Sequence, residues 1–429
     1  MRWGELGLWL LVAGAALNGM HVEVGGKSVY PEYITLVTVA VPLAVVTWRR
    51  RLRLALPAAA WPLMGWLSVA LVASLVNAPD VGHSVILWSK LVMMVATFVV
   101  VANLARPRLE VAVGAQLTVA ACVATIAIGA VVAWHLAGSQ VGMQRATGGG
   151  WVPKATLIES NVLGSYSAAA VLLGLTLAGR RARSRRRVRV AAWAAALLGG
   201  GALVISVTRT AWVGFLVALG CAGSVSLASR GGRWVRVGLA CAGTLLLALL
   251  ALTAVDLGPP SPNWTPYTPE SAGLVYRLRS LTHIRHDGNL WVRYEICRNA
   301  VQHWRRHPWI GWGVGAYEDM FLYPNQNAPG WIPNLFVHHL FDSGVIGLAA
   351  LVAGIGMTLR GGVRAWARSG GGDRRVLAGL LLALVSLAVA FQATEASWLA
   401  YPWVYLGVLE AAAARSREWP PAKPGSGTG

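Results

Sequence analysis

The sequence predicts an all-α polytopic membrane protein with about 12 transmembrane helices. Of its 429 residues, 56% are hydrophobic and only 13% are charged. Apolar runs of about twenty residues recur along the chain, each long enough to cross a hydrocarbon layer of about 30 Å. A soluble domain of this length could not bury so much apolar surface. Helices are expected because backbone groups that face lipid must be satisfied within their own segment.

The apolar runs place spans 1–9 within residues 1–256 and spans 10–12 within residues 334–414. The short turn at 394–397, between the last two spans, is the least marked boundary. The predicted spans are 5–20, 32–48, 58–76, 84–104, 112–137, 160–179, 188–207, 210–229, 234–256, 334–359, 374–394 and 397–414.

The formal net charge of +20 has a distribution typical of membrane topology rather than of nucleic-acid binding. Most basic residues lie in short connectors, such as 49–53 and 180–189, on the side that holds both termini. The short connectors of the other side hold only Lys27, Arg145, Lys154 and Arg209. Because cytoplasmic loops carry the excess of Lys and Arg, both termini are predicted to be cytoplasmic, including a disordered tail at 415–429.

Two segments on the extracytoplasmic side are too long to be simple turns. The first, 138–159, is rich in glycine and is expected to be irregular. The second, 257–333, separates spans 9 and 10 and is rich in arginine, histidine and aromatic residues. Within it, apolar residues recur every three or four positions, which predicts an amphipathic helix at 290–306. Long loops on a rigid scaffold are where binding and chemistry commonly occur.

Arginines outside the membrane are the first candidates for binding an anion. Arg209 lies between two apolar runs, where it could extend to lipid head groups or bind an anionic group from a cavity. Arg293 lies at the edge of the apolar stripe of the amphipathic helix, as do Arg298 and Arg305 at its other edge, so the pattern leaves its direction open. Arg277 and Arg279 are further cations in the same loop.

His338 and His339 begin the tenth span, and Asp342 follows within one helical turn. Histidines near an interface can serve as amphipathic anchors, but here one of them could act as a general base on a cavity wall. Adjacent histidines point about 100° apart on a helix and cannot easily chelate one ion. The sequence contains no HExxH, DxD or CxxC motif, so metal-independent chemistry without a cofactor is predicted.

Four motifs in fixed order resemble the O-antigen ligase and polymerase superfamily. These are bacterial membrane glycosyltransferases that use polyprenyl-diphosphate-linked glycans. The motifs are Glu159–Gly164 opening a span, Val207–Trp212, Arg293 through Gly315, and Asn334 through Gly347. The resemblance implies a GT-C-like helical bundle with an extracytoplasmic cavity under the large loop. It also implies that the arginines matching Arg209 and Arg293 hold the donor diphosphate, with Asn161 and Asn334 as further candidates.

One position departs from the pattern of the superfamily. Its ligases carry a His-Asn pair followed by two glycines, and here Asn334, Gly344 and Gly347 match, but Pro333 stands where the histidine is expected. In the ligases that histidine is proposed to activate the acceptor hydroxyl. The departure counts against a ligase and favours a polymerase or a divergent transferase, and His338 or His339 is a hypothetical substitute for the missing histidine.

The combined prediction is an inverting, metal-independent glycosyltransferase of the bacterial inner membrane with an extracytoplasmic active site. Its expected partners are the lipid bilayer, a polyprenyl-diphosphate-linked glycan donor and a lipid-linked or surface glycan acceptor, with no nucleic acid. The alternative is a transporter or flippase for a polysaccharide or a lipid-linked glycan. Transporters place ionisable residues at the membrane midplane, whereas Lys90 is the main charge within the predicted spans.

Overall fold

The computed structural model describes residues 3–24, 27–49, 54–145, 151–178, 186–228, 288–320 and 331–418. Most of these residues are helical. The helices are α1 (Trp3–Ala15), α2 (Pro31–Arg49), α3 (Ala60–Val76), α4 (Val81–Ala105), α5 (Leu109–Ala137), α6 (Ser160–Ala178), α7 (Arg186–Ile205), α8 (Arg209–Ala228), α9 (Gly288–Trp304), α10 (Ala316–Met320), α11 (Leu335–Arg368), α12 (Gly371–Ala390) and α13 (Ala400–Glu418). A 3-10 turn, Arg106–Arg108, joins α4 to α5.

Four helical segments are apolar and long enough to cross a membrane by length and composition. They are Val81–Ala137, which includes both α4 and α5, together with Ser160–Ala178, Arg186–Ile205 and Leu335–Arg368. Three shorter apolar helices, Trp3–Ala15, Pro31–Val46 and Ala60–Val76, accompany them. This architecture agrees with an all-α membrane protein. The number of twelve spans stays a prediction, and the ninth predicted span, 234–256, lies outside the described residues.

The structure differs from the sequence prediction at the end of the first span and in the segment 138–159. The first span was predicted to reach residue 20, but α1 ends at Ala15, because the chain then binds residues 156–158 through Asn18 and Gly19. Antiparallel strands β1 (Val22–Val24) and β2 (Lys27–Val29) follow. The expectation that 138–159 is irregular was wrong in part. Strands β3 (Met143–Arg145) and β4 (Trp151–Pro153) pair within it.

Helices α6 and α13 lie at the centre of the bundle and are buried along most of their length. Helix α13 packs against α4, α11 and α12, while α6 packs against α7 and α12. Small residues permit this close approach. A side chain at Gly407 would lie 2.9 Å from the backbone oxygen of Phe98, and one at Gly174 would lie 2.6 Å from that of Ala192. Small residues at interfaces are typical of helices that pack within membranes.

Helix α11 is broken near its start, at Gly344, where φ is 64°. The loop that follows α9 runs beside this break and bonds to its free backbone groups. The amide of Trp312 donates to the carbonyl of Phe341 at 2.8 Å, and the amide of Val345 donates to the carbonyl of Pro308 at 3.0 Å. A break inside a membrane helix requires such replacement partners, because lipid offers none.

Glycines allow the loop to lie directly against the broken helix. A side chain at Gly344 would collide with the backbone carbonyl of Trp309, and one at Gly311 would collide with the backbone of Phe341 and Asp342. Gly311 also has a positive φ of 78°, which residues with a side chain rarely adopt. The glycine-rich motif at 307–315 and the glycine at 344 therefore belong to one contact, which positions the first turns of α11.

Candidate functional site

The imidazole of His338 lies between two buried carboxylates. Its Nε2 is 3.1 Å from Oδ2 of Asp342, one turn along α11, and its Nδ1 is 3.3 Å from Oε2 of Glu395, in the turn between α12 and α13. The side chain of His338 is 17% exposed, whereas those of Asp342 and Glu395 are 2% and 0% exposed. His338 is thus the most accessible member of this cluster.

The arrangement matches a positively charged imidazole. An ionised carboxylate can only accept hydrogen bonds, and a neutral histidine donates from one ring nitrogen, so contacts at both nitrogens fit the imidazolium form. Burial opposes the charge on Glu395, but the positive charge of His338 outweighs burial and holds the pKa of Glu395 below its usual value. Within the described part of the chain, Nδ1 of His338, Oε2 of Glu395 and both carboxylate oxygens of Asp342 lack a well-aligned hydrogen bond. The cluster is therefore held together by charge attraction.

Ser397 holds the turn that carries Glu395. Its backbone amide donates to Oε1 of Glu395, its carbonyl accepts from Nε1 of Trp403 at 2.6 Å, and its hydroxyl lies 2.9 Å from Nε2 of His339. His339 is 1% exposed and meets the ring of Trp66 edge-on, with centroids 5.0 Å apart. His339 thus lies in the packed interior behind His338, where it supports the turn.

Arg293 points toward the bundle. Its side chain is half-buried, and its Nη1 donates to the hydroxyl of Thr394 at 3.4 Å. Burial raises the pKa of Glu159, and the charge of Arg293 together with a hydrogen bond from Asn161 opposes that rise, so these groups lie together. The competing candidate Arg298 is exposed and contacts Glu295 on its own helix at 3.5 Å. The structure thus distinguishes arginines that the helical pattern alone could not.

Arg209 is the first residue of α8 and is half-buried. The preceding Thr208 donates from its hydroxyl to the carbonyl of Ser160 at 3.0 Å, which holds the start of α8 against the start of α6. Val207 makes the sharp turn before it, with a φ of 54°. Arg209 is therefore placed at the same end of the bundle as Glu159 and Asn161. The remaining predicted phosphate ligands, Arg277 and Arg279, lie outside the described residues.

Asn334 caps α11 and ties its start to the end of α12. Its Oδ1 accepts from the amides of Phe336 and Val337 at 3.0 and 3.1 Å, and its Nδ2 donates to the carbonyl of Gln392 at 3.0 Å. Side-chain caps of this kind satisfy backbone amides that the helix leaves free. Asn334 therefore sets the distance between the start of α11, which carries His338, and the turn that carries Glu395.

Residues 194–352 match the O-antigen ligase family. The matched stretch contains Arg209, Arg293, the glycine-rich loop at 307–315, His338 and Asp342. The chain thus contains a stretch similar to the O-antigen ligase family, which covers less than half of its length. The resemblance predicted from the four sequence motifs is thereby confirmed. No curated protein is significantly similar to the chain.

Two acidic residues of the site were missed by sequence reasoning, and both lie outside the O-antigen ligase match. Glu159 stands in the first of the four motifs but was not weighed as a charge, and Glu395 was noted only as part of a turn. An acid between two apolar runs is costly unless it is paired. This cost indicates from the sequence that Glu395 has a partner, but the sequence does not show that the partner is His338.

The described residues contain no group of three or more His, Cys, Asp or Glu side chains arranged to hold a metal ion. The candidate site thus consists of a cation, Arg293, held by the hydroxyl of Thr394, and of an imidazole, His338, between the carboxylates of Asp342 and Glu395. Metal-independent chemistry stays a prediction.

Proposed function

We propose that this chain is an inverting membrane glycosyltransferase of surface polysaccharide assembly. It transfers a glycan from a polyprenyl diphosphate to a hydroxyl of a lipid-linked or surface acceptor, on the outer face of the bacterial inner membrane. The match of residues 194–352 to the O-antigen ligase family supports this reaction class. The observation that carries the proposal is that a guanidinium and an imidazole lie against the same turn. Arg293 and His338 contact Thr394 and Glu395, which are consecutive residues of one turn.

The donor side of the reaction needs positive charge. When the bond between the anomeric carbon and the diphosphate breaks, the electron pair leaves with the diphosphate, and its growing negative charge must be stabilised. Guanidinium groups do this through paired hydrogen bonds and without a metal ion. In this proposal Arg293 and Arg209 hold the diphosphate, with Arg277 or Arg279 assisting. The hydroxyl of Thr394 orients the guanidinium of Arg293.

The acceptor side needs a group that takes up a proton. The Nε2 proton of His338 passes to the carboxylate of Asp342, which lies 3.1 Å away. The freed nitrogen then accepts the proton of the acceptor hydroxyl, while the hydroxyl oxygen attacks the anomeric carbon from the face opposite the diphosphate. Glu395 stays charged and balances the imidazolium that results. One displacement of this kind inverts the configuration at the anomeric carbon.

His338 takes, in this proposal, the role of the family histidine that Pro333 replaces. A ligase and a polymerase differ in the acceptor to which the glycan is transferred. Loss of a ligase leaves uncapped acceptor and accumulated lipid-linked chains, whereas loss of a polymerase leaves products of a single repeat. Product analysis in cells that lack the protein separates the two.

The deciding experiment uses purified full-length protein in detergent, with a polyprenyl-diphosphate-linked glycan and an acceptor glycolipid, and follows transfer by gel or mass spectrometry. The expected result is transfer without added metal, in the presence of a chelator, and with inversion at the anomeric carbon. A pure transporter, which is the alternative, would give no product without a membrane. Absence of transfer by protein that is folded and binds the donor would overturn the proposal.

A further inference from the structure

A cavity of about 290 Å³ lies at the end of the bundle opposite the candidate site. Helix α13 begins beside the site and ends at this cavity, and its 19 residues span about 28 Å. Three helix ends surround the cavity: the start of α1, the start of α5 and the last turn of α13. The sequence predicts that these helices cross the membrane, so their ends are expected at the depth of lipid head groups.

The cavity is lined by two cations and two carboxylates that do not pair with each other. Arg108 and Arg415 supply the positive charges, and Glu5 and Glu110 supply the negative charges. Among the residues that the structure describes, none of these four forms an ion pair within 4.0 Å. Opposite charges that line one cavity without pairing leave room between them for a ligand that carries both charges.

A neighbouring cavity provides a contrast. It is lined by Arg106, Arg417 and Glu410, and there the charges are paired: Arg417 contacts Glu410 at 3.2 Å, and Arg106 contacts Glu418. Glu5 and Glu110 lie in the first turns of α1 and α5, and Arg415 and Arg417 lie in the last turn of α13, as the helix dipoles favour. The helix dipoles therefore do not explain why the charges are paired at the neighbouring cavity and unpaired at the first one.

The guanidinium of Arg108 is held in place by close packing. A side chain at Gly4 would lie 2.8 Å from Cζ of Arg108, so the absence of a side chain there lets the guanidinium lie against the start of α1. Arg108 and Arg415 are both half-buried, which reduces the screening of their charges by water. They therefore offer a preformed site for a phosphate group, which guanidinium groups bind well.

We propose that this cavity binds the head group of a zwitterionic phospholipid with a primary amine. The phosphate contacts Arg108 and Arg415, and the ammonium donates hydrogen bonds to Glu5 and Glu110. A primary ammonium has three N–H donors, whereas a choline group has none and a glycerol head group has no positive charge. The site should therefore prefer a phosphoethanolamine head group over phosphocholine and phosphoglycerol. This inference does not depend on the proposed glycosyltransferase activity.

The test measures which lipids stay bound to the purified full-length protein in native mass spectrometry, after exposure to equal amounts of the three lipid types. We expect the phosphoethanolamine lipid to be retained preferentially, and Arg415→Ala to reduce its retention about fivefold. Arg417→Ala is the matched control, because it removes the same charge two residues further along α13. The double variant Glu5→Gln/Glu110→Gln should abolish the preference over phosphoglycerol.

Arg415→Lys keeps the positive charge and is the second variant to measure if Arg415→Ala does not fold. Its retention of the phosphoethanolamine lipid should stay near normal. A soluble phosphoethanolamine competitor separates head-group recognition from acyl-chain binding, and it should displace the lipid. Equal retention of all three lipids, equal loss in Arg417→Ala, or stronger retention of phosphoglycerol would each overturn the proposal.

Discussion

Oε2 of Glu395 lies 3.3 Å from Nδ1 of His338, and this contact joins the turn between α12 and α13 to the first turns of α11. The residue before Glu395, Thr394, accepts a hydrogen bond from Arg293 of α9. One turn thus contacts both the cation expected to hold the donor and the imidazole expected to face the acceptor. The geometry makes this turn the organising element of the site, and the following predictions test its parts.

Replacing Glu395 by glutamine should reduce transfer about tenfold or more, because the side chain keeps its shape but no longer balances the imidazolium of His338. The measurement is the rate of transfer by purified protein as a function of pH. Glu318→Gln is a suitable control, since Glu318 is an exposed acid on α10 outside this cluster. An unchanged rate and pH profile in Glu395→Gln would show that the carboxylate does not serve the reaction.

The same carboxylate should make stability depend on pH. The pKa of Glu395 lies below the reference value of 4.5 in the folded protein. Its stabilising charge is therefore fully present above that reference value and is lost as pH falls through the lower folded-state pKa.

The stability difference between the native protein and Glu395→Gln should accordingly shrink on acidification, measured by thermal unfolding in detergent. Asp342 faces the same imidazole, so the comparison is repeated with Asp342→Asn in both proteins to separate the two titrations. A difference that stays constant with pH would contradict the pKa direction.

Replacing Arg293 by alanine should nearly abolish transfer at normal protein level, because the leaving diphosphate loses a positive charge that it needs in the transition state. We expect a loss of about a hundredfold or more. Arg293→Lys should recover part of the rate, since it keeps the charge but loses the paired geometry.

Arg298→Ala is the matched control for Arg293, because Arg298 lies on the same helix but is exposed and contacts only Glu295 among the described residues. Its effect on transfer should be small. Surface-glycan length and attachment in cells provide an independent measurement. Near-normal glycan with Arg293→Ala would remove this arginine from the donor site.

Replacing Gly344 by alanine should destabilise the protein by about 1–3 kcal/mol or more, because a side chain there both strains the backbone and collides with the carbonyl of Trp309. Gly356→Ala is the control on the same helix. Its added methyl group meets open space, so its effect should be small. The measurement is the unfolding midpoint of each purified variant, and equal midpoints would show that the loop does not depend on the glycine.

The helices could largely be predicted from the sequence, because their signal is local. Predicted spans such as 58–76 and 112–137 lie close to α3 and α5. The boundaries differ where a tertiary contact replaces the local preference. Helix α1 ends at Ala15 because residues 18 and 19 bind the segment at 156–158, and no periodicity records that contact.

Part of the candidate site could also be predicted from local sequence motifs. Arg293, His338 and Asp342 could be proposed because they stand in motifs that resemble a known family, and the O-antigen ligase match covers them. The roles of these residues stay predictions. Glu159 and Glu395 lie outside that match. Their importance depends on which side chains the fold brings to them.

The sequence by itself determined that the chain forms apolar helices, that the basic residues gather in short connectors, and that residues 194–352 are similar to the O-antigen ligase family. Only the tertiary structure decided that Arg293 rather than Arg298 turns inward and that Glu395 meets His338. The physical reason is that composition and periodicity act along the chain, whereas the pairing of buried charges depends on how α9, α11 and the turn before α13 pack together.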